Sequence, residues 1–263
     1  MSAPLPPPRC IVVSGASRGL GAALAERLAA PGVVLRLVAR GAEGLAATAA
    51  RCAAQGAEVE TAAIDVRDGA ALAARLLAWE AARPVDCVIA NAGISRGVGP
   101  DGAWEGLDGA TAQAAVNLLG AMHLVEPLLP AMRERRAGRI ALVASVAAYR
   151  GLPDAPGYAA SKAGLRVYGE GLRAALAPSG LCVTVVLPGF FDSAMGARWN
   201  GPRPLAMGLD RAADITHRAI LRGARRCAFP LPLAALLRVV DALPAGLSDW
   251  AVRRMRFSIA PEA

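Results

Sequence analysis

"CIVVSGASRGLGAALAERLAA", residues 10–30, reads in three parts: a β-branched apolar run, a turn carrying Gly15, Gly19 and Gly21, and an alanine- and leucine-rich helical stretch. Strand, glycine turn and helix start in that order aim backbone N–H groups and the positive end of a helix dipole at one point. A phosphate fits such a point. The spacing is G-x-x-x-G-x-G, not the G-x-G-x-x-G of the best-known dinucleotide loops, so the strand–loop–helix context carries the reading.

The same alternation continues along the chain. Strands are predicted at 10–16, 33–39, 58–65, 85–91, 139–145 and 182–188, and helices near 19–29, 43–55, 68–82, 111–135, 157–177 and 210–222. Such alternation builds an α/β fold, a doubly wound parallel sheet with helices on both faces. No repeat or long linker divides it, so a single domain over residues 9–228 is expected. A disordered proline-rich tail precedes it at 1–8, a substrate flap lies at 190–209, and an apolar and basic extension at 229–263 packs on the domain or in a dimer.

Apolar residues make up 55% of the 263 and charged ones 19%, which excludes a disordered chain. The net charge of +8 comes from arginines scattered singly or in pairs, without interleaved aromatics, so nucleic acid is not an expected partner. The cysteines, Cys10, Cys52, Cys87, Cys182 and Cys227, are odd in number and form no CxxC pair, which predicts reduced core thiols in a cytoplasmic protein. There is no secretory h-region and no unbroken apolar run of membrane-spanning length.

Two arginines set the expected cofactor. The second strand ends "LVAR", with Ala39 where an acid would bind the ribose of NAD, and Arg40 after it. Together with Arg18 it can meet a 2′-phosphate, so NADP(H) is expected ahead of NAD(H). The chain also holds a single lysine among its 29 basic residues, Lys162, four residues after Tyr158. On a helix the two share a face. A tyrosine near pKa 10 needs roughly 4 kcal/mol of preferential phenolate stabilisation to titrate near 7, and a neighbouring ammonium supplies part of it. So tuned, it exchanges a proton with a substrate oxygen. Arginine would keep the charge but not the compact shape.

With these residues in view the chain resembles the short-chain dehydrogenases/reductases, a Rossmann-type family, over roughly residues 9–195. "SGASRGLG" is similar to the family's cofactor loop, "NAG" at Asn91, Ala92 and Gly93 to its fourth-strand motif, and "YAASK" to its Y-x-x-x-K. Ser145 stands at the family spacing before Tyr158, "VNLLG" supplies Asn117, and Asp65 and Val66 match the adenine-contacting pair. "PGFFDS" resembles the carboxamide-binding segment, with Phe191 and Ser193 in place of valine and threonine.

The resemblance implies the catalytic set Asn117, Ser145, Tyr158 and Lys162. Tyr158 would be the acid or base, Lys162 would hold the nicotinamide ribose and lower the tyrosine pKa, and Ser145 would bind the substrate oxygen. Asn117 would hold, through its backbone, a water that relays protons to Lys162. The cofactor contacts it implies are Gly15, Ser17, Arg18, Gly19, Leu20, Gly21, Arg40, Asp65, Val66, Asn91, Ala92, Gly93, Tyr158, Lys162, Pro188, Gly189, Phe191 and Ser193. No metal is expected: His123 and His217 lack a second ligand at metal spacing and read as structural, and Tyr149 and Tyr168 as packing residues.

The expected function is NADP(H)-dependent interconversion of a carbonyl and its alcohol. Trp104, Phe190, Phe191, Met195, Trp199 and Met207 would wall an apolar substrate pocket, while Arg96, Arg198 and Arg203 keep an acidic substrate open. A homodimer or homotetramer is expected from the small-residue helix around Lys162 and the apolar 229–247 segment. The alternatives are an idle dinucleotide-binding scaffold or sensor, and a membrane-surface reductase of lipid or acyl substrates suggested by the arginines beside 229–247.

Overall fold

Strand β1, Cys10–Ser14, is buried at every position and lies inside a parallel sheet in a computed structural model that describes residues 6–261. Its neighbours explain the continuous apolar run, since a strand covered on both faces has no polar side to present. The other sheet strands are β2 (Val34–Ala39), β3 (Glu58–Ala63), β4 (Cys87–Ala90), β5 (Arg139–Val143) and β6 (Cys182–Pro188). A short β7 (Trp199–Asn200) follows, then β8 (Arg226–Phe229) and β9 (Ser258–Ile259). The order in the seven-stranded sheet is β3-β2-β1-β4-β5-β6-β8, all parallel, while β7 and β9 pair antiparallel.

Alternate strand residues point to two cores. Val12, Val88 and Leu142 face Leu72 and Trp79 of α3 (Gly69–Ala82) and Leu165 of α7 (Pro156–Leu176). That face is completed by a helical stretch running from Gly106 to Glu134, made of α4 (Gly106–Ala114), α5 (Gly120–Val125) and α6 (Leu129–Glu134) joined by tighter or wider turns. Ile11, Val13 and Ile89 face Leu24 of α1 (Gly19–Leu28), Leu45 of α2 (Ala42–Ala53) and Ile220 of α9 (Leu209–Leu221). Short α8 (Ala194–Ala197) lies in the flap, and α10 (Leu231–Ala242) and α11 (Ala245–Val252) follow β8. The stretch from Gly106 to Glu134 is long and apolar enough to cross a bilayer, but half of its apolar window is buried against the sheet and it carries Gln113 and Asn117 inward.

Several expectations are corrected. The sheet has seven strands instead of six, because β8 reads "RCAF" with little apolar pattern of its own and forms by pairing with β6. A boundary after residue 228 therefore cuts off the last residue of a strand. Predicted strands 10–16, 58–65, 85–91 and 139–145 stop earlier, and Gly15, Asp65, Asn91 and Ser145 lie in the loops beyond their C-terminal ends. The predicted 111–135 helix begins at Gly106. Of the 1–8 tail, residues 1–5 lie outside the described part, and Pro8 is buried.

Arg36, in the middle of β2, is 1% exposed. Glu60 accepts from its Nε at 3.0 Å, the Arg83 carbonyl accepts from Nη1 at 2.9 Å, and the Trp79 ring lies beneath the guanidinium. A buried charge is tolerated only with such partners. Two glycines of α7 serve the chain's own packing: a Cβ on Gly169 would stand 2.7 Å from Leu142 and Val185, and one on Gly164 2.9 Å from Leu118.

Candidate active site

In an open parallel sheet the crevice lies beyond the strand ends where neighbouring strands connect in opposite directions. Here that point is between β1 and β4, and the glycine loop meets "NAG" across it. A Cβ on Gly15 would sit 2.8 Å from Ala92 Cα, and one on Gly21 would sit 2.2 Å from the Gly15 carbonyl oxygen. Only backbone fits between these loops. Gly15 and Gly19 also hold φ of 65° and 57°, in the left-handed region that favours glycine. Ser14 and Asn91 fasten the crevice: Ser14 Oγ accepts from Asn91 and Ala92 N–H at 3.1 Å each, and Asn91 Nδ2 donates to the Ser14 and Gly15 carbonyls at 3.2 and 3.3 Å. Leu20 is buried beneath the loop, while Ser17 and Gly19 are partly open and Arg18 is exposed at the start of α1.

At the far end of the crevice Arg40 is exposed after β2. Asp65 is gripped by Arg67, whose Nη2 donates to Oδ2 at 2.7 Å, and this pairing, with Arg40 a smaller contributor, holds the Asp65 carboxyl below its usual range. Arg67 was not singled out from the sequence; its place two residues after Asp65 was the available signal. Val66 is buried, and its carbonyl lies 2.9 Å from His123 Nδ1, which gives that histidine a structural role.

The four residues of the expected catalytic set come together around α7. Lys162 is 4% exposed, and its Nζ donates to the Val143 carbonyl at 2.9 Å. A Cβ on Gly93 would lie 3.3 Å from Nζ and 3.2 Å from Asn117 Oδ1, so glycine there keeps ammonium and amide in reach of one another. Asn117 sits in a π turn, Ala115–Leu119, a distortion common at functional sites. Its Oδ1 accepts from Ile94 N–H at 2.8 Å, and its Nδ2 donates to the Ile94 carbonyl at 3.0 Å and to Ser161 Oγ at 2.9 Å. Ser145 Oγ accepts from Ala147 N–H at 3.1 Å and donates to the Pro188 carbonyl at 3.4 Å.

Burial raises the Tyr158 pKa above its ordinary 10, and a hydrogen bond with Ser145 works against that rise. Burial alone lowers Lys162 from 10.5 to about 8. The hydrogen-bond partner of the Lys162 ammonium is the Val143 carbonyl, a residue sequence reading did not single out.

Lys162 gives the site a pH signature. Below pH 8 both folded and unfolded chains hold its proton; between about 8 and 10.5 the unfolded chain holds a proton the folded one has released, so stability rises with pH across that window. Tyr158 acts oppositely, above pH 10. Urea melts of the protein without cofactor are expected to show Lys162→Met gaining on wild type at pH 7.5, with the gap shrinking by about 2 kcal/mol at pH 9.5. A gap independent of pH would mean that the folded protein keeps the proton.

The family model for short chain dehydrogenases matches residues 9–203. The chain belongs to that family. It is 37% identical over 253 residues to an uncharacterized oxidoreductase of Myxococcus xanthus, covering 94% of this chain and 98% of that protein. A 2-dehydro-3-deoxy-L-rhamnonate dehydrogenase (NAD(+)) of Sphingomonas sp. is 36% identical over 187 residues, 70% of this chain and 73% of that one. Among solved structures, a short-chain dehydrogenase from Sphingobium yanoikuyae in complex with NADPH superposes with a TM-score of 0.77 at 27% identity, covering 94% of this chain and 96% of that one. The protein is an oxidoreductase, an NAD(P)-dependent short-chain dehydrogenase/reductase.

In this short-chain dehydrogenase the segment around Phe257 and Ile259 covers the Tyr158 side of the crevice. Phe257 and Ile259 pack with Leu152, Ala155 and Tyr158, and Trp199 of the flap stacks on Phe257 with ring centroids 3.6 Å apart. Phe190 meets Trp199 edge-on at 4.9 Å. Buried Asp154 ties the segment down, accepting from Phe257 N–H and Arg256 Nε at 3.0 Å each. Phe190 and Trp199 were expected as walls, but the contribution of Phe257 and Ile259 was not visible in the sequence, because Asp154 and Phe257 are 103 positions apart.

Other expected walls fall elsewhere. Trp104 is 64% exposed and Met195 37%, while Phe191 bridges to Met207 and lies beside α9 residues. Arg198 donates to the Ser95 carbonyl at 2.6 Å, and Arg203 donates to the Phe191 carbonyl at 3.2 Å and pairs with Asp192. Arg198 thus ties the flap to the loop after β4, Arg203 holds backbone within the flap, and Arg96 is exposed. Ser193 Oγ caps α8 by accepting from Gly196 N–H at 3.0 Å. Gly189 N–H donates to the Phe229 carbonyl at 2.6 Å, so β8 fixes the Pro188–Gly189 turn beside Ser145.

Proposed function

We propose that this protein is an NADP(H)-dependent reductase of apolar ketones or aldehydes, with Tyr158 as the proton donor. The observation that supports it best is the meeting of Ser145, Tyr158, Lys162 and Asn117 at the end of a crevice lined by backbone. The glycine cradle suits a dinucleotide pyrophosphate, because the positions a Cβ would fill leave the N–H groups at the start of α1 open.

A nicotinamide cofactor held there supplies the hydride. Gly15, Ser17, Gly19, Leu20 and Gly21 would hold its phosphates, Asp65 and Val66 the adenine, and Asn91, Ala92 and Gly93 the ribose side. Pro188, Gly189, Phe191 and Ser193 would hold the carboxamide. Arg18, Arg40 and Arg67 outnumber Asp65 at the adenosine end, which favours a 2′-phosphate.

Ser145 orients the substrate oxygen toward Tyr158. A buried tyrosine with a raised pKa stays protonated at neutral pH, the form an acid in carbonyl reduction requires. In the reverse direction the hydroxyl must ionise, and positive charge from Lys162 and an oxidised nicotinamide ring favours that state. Asn117 fixes the Ile94 backbone and Ser161 beside Lys162 and would hold the relay water.

The pocket wall of Phe190, Trp199, Phe257 and Ile259 is apolar, and Arg198 and Arg203 are committed to the Ser95 and Phe191 carbonyls, which favours an apolar carbonyl over an acidic one. Initial rates with NADPH over paired carbonyls, with and without a carboxylate, are expected to give kcat/KM at least about tenfold higher for the uncharged partner. A preference for the carboxylated member would overturn the apolar reading. Binding of NADPH with no turnover of any carbonyl would favour an idle binding protein.

A further inference from the structure

Helices α10 and α11 bury one side and leave a second apolar side uncovered. On α10, Leu233, Ala234 and Leu237 are buried, whereas Leu231, Leu236 and Val239 are 73%, 57% and 61% exposed. At 100° per residue, Leu231, Ala235, Leu236, Val239, Ala242 and Leu243 fall within an arc of about 140°. Helix α11 repeats the arrangement, burying Ser248 and Val252 and exposing Leu247 and Trp250.

Arginines surround this face. Arg238 lies on α10, and Arg253 and Arg254 follow α11, with the Arg254 guanidinium 3.8 Å from the Trp250 ring centroid. The acids nearby are exposed Asp241 and Asp249, and Asp249 is already paired with Arg150.

A cleft of about 260 Å³ opens at the start of α10, walled by Tyr149, Arg226, Ala228, Leu231, Ala234, Ala235 and Arg238. Tyr149 is 8% exposed, and its hydroxyl has no hydrogen-bond partner among the described residues. Arg166 and Arg238 stand 5.8 and 5.5 Å from its ring centroid. Glu170 pairs with both Arg166 and Arg226, so positive charge is in excess around the cleft.

We propose that the α10–α11 face docks on an anionic membrane surface, its leucines, Val239 and Trp250 entering the headgroup boundary and a lipid phosphate seating at the Arg238 and Tyr149 cleft. An apolar stripe with tryptophan and an arginine rim is the pattern of helices lying in that boundary. A second copy of the chain fits less well. A two-fold contact sets a patch against itself, and Arg238, Arg253 and Arg254 would face their own copies with Asp241 as the acid left to offset them. Leu107, Leu119 and Val167 offer another exposed apolar surface for self-association. The proposal does not depend on the cofactor or substrate assigned above.

Sedimentation of the full-length protein with vesicles of three parts phosphatidylglycerol to seven parts phosphatidylcholine, against pure phosphatidylcholine, tests it. Binding is expected to be at least about tenfold stronger to the anionic vesicles and to weaken with added salt. Leu236→Asp with Val239→Asp should reduce it by about tenfold or more, and Arg238→Glu severalfold, with cofactor affinity unchanged as the check on folding. Equal binding to both vesicles, or variants that bind like wild type, would overturn the proposal. So would a lower mass for the double variant by light scattering, which would assign the face to contact between copies.

Discussion

Lys162→Arg is expected to fold and yet to lose about 99% of turnover, a cost of about 2.7 kcal/mol in activation free energy. The ammonium sits in a space bounded by the Val143 carbonyl at 2.9 Å and by Gly93, where even a Cβ would approach Nζ to 3.3 Å. A planar guanidinium is too broad for that space, so it must displace Gly93 or turn away from the crevice. Lys162→Met, which keeps the stem and removes the charge, separates the loss of chemistry from overpacking. Tyr158→Phe should be as damaging, since the ring keeps its packing on Phe257 and Ile259 and only the hydroxyl is lost. The double variant should be little worse than either single one if, as proposed, both residues serve one proton transfer. Stopped-flow and steady-state rates on one verified carbonyl, with melting curves beside them, make the comparison. Near-normal turnover by a folded Lys162→Arg would remove the lysine from the mechanism.

Arg40→Asp is expected to shift the ratio of NADPH to NADH affinity by about 100-fold, from an NADPH preference in the wild type toward NADH. Two effects add: loss of a charge-assisted contact to the 2′-phosphate and a new repulsion against it, each about 1–3 kcal/mol. Arg40 is exposed and contributes to holding Asp65 ionised, so the replacement should leave the fold intact. Calorimetric titration of both cofactors reads the ratio directly. Equal affinities in the wild type would sink the NADP(H) assignment; an unchanged ratio in the variant would transfer the selectivity to Arg18 or Arg67.

The local parts of the protein were determined by its sequence. The glycine loop, the strand-and-helix alternation and the Tyr158–Lys162 spacing depend on neighbours within one turn or one strand, where backbone geometry allows few outcomes. For the same reason the members of the expected catalytic set could be named before the structure brought them together. Tertiary structure decided what rests on distant partners. "RCAF" became β8 only because β6 offers an edge to pair with, and Arg36 entered the core only because Glu60, Arg83 and Trp79 receive it. The pocket wall of Phe257 and Ile259 exists because Asp154 holds a segment about a hundred residues away. Even the tyrosine pKa, which the i, i+4 lysine was expected to lower, is raised by burial with Ser145 opposing, since desolvation depends on everything packed around a group and sequence spacing reports only one neighbour.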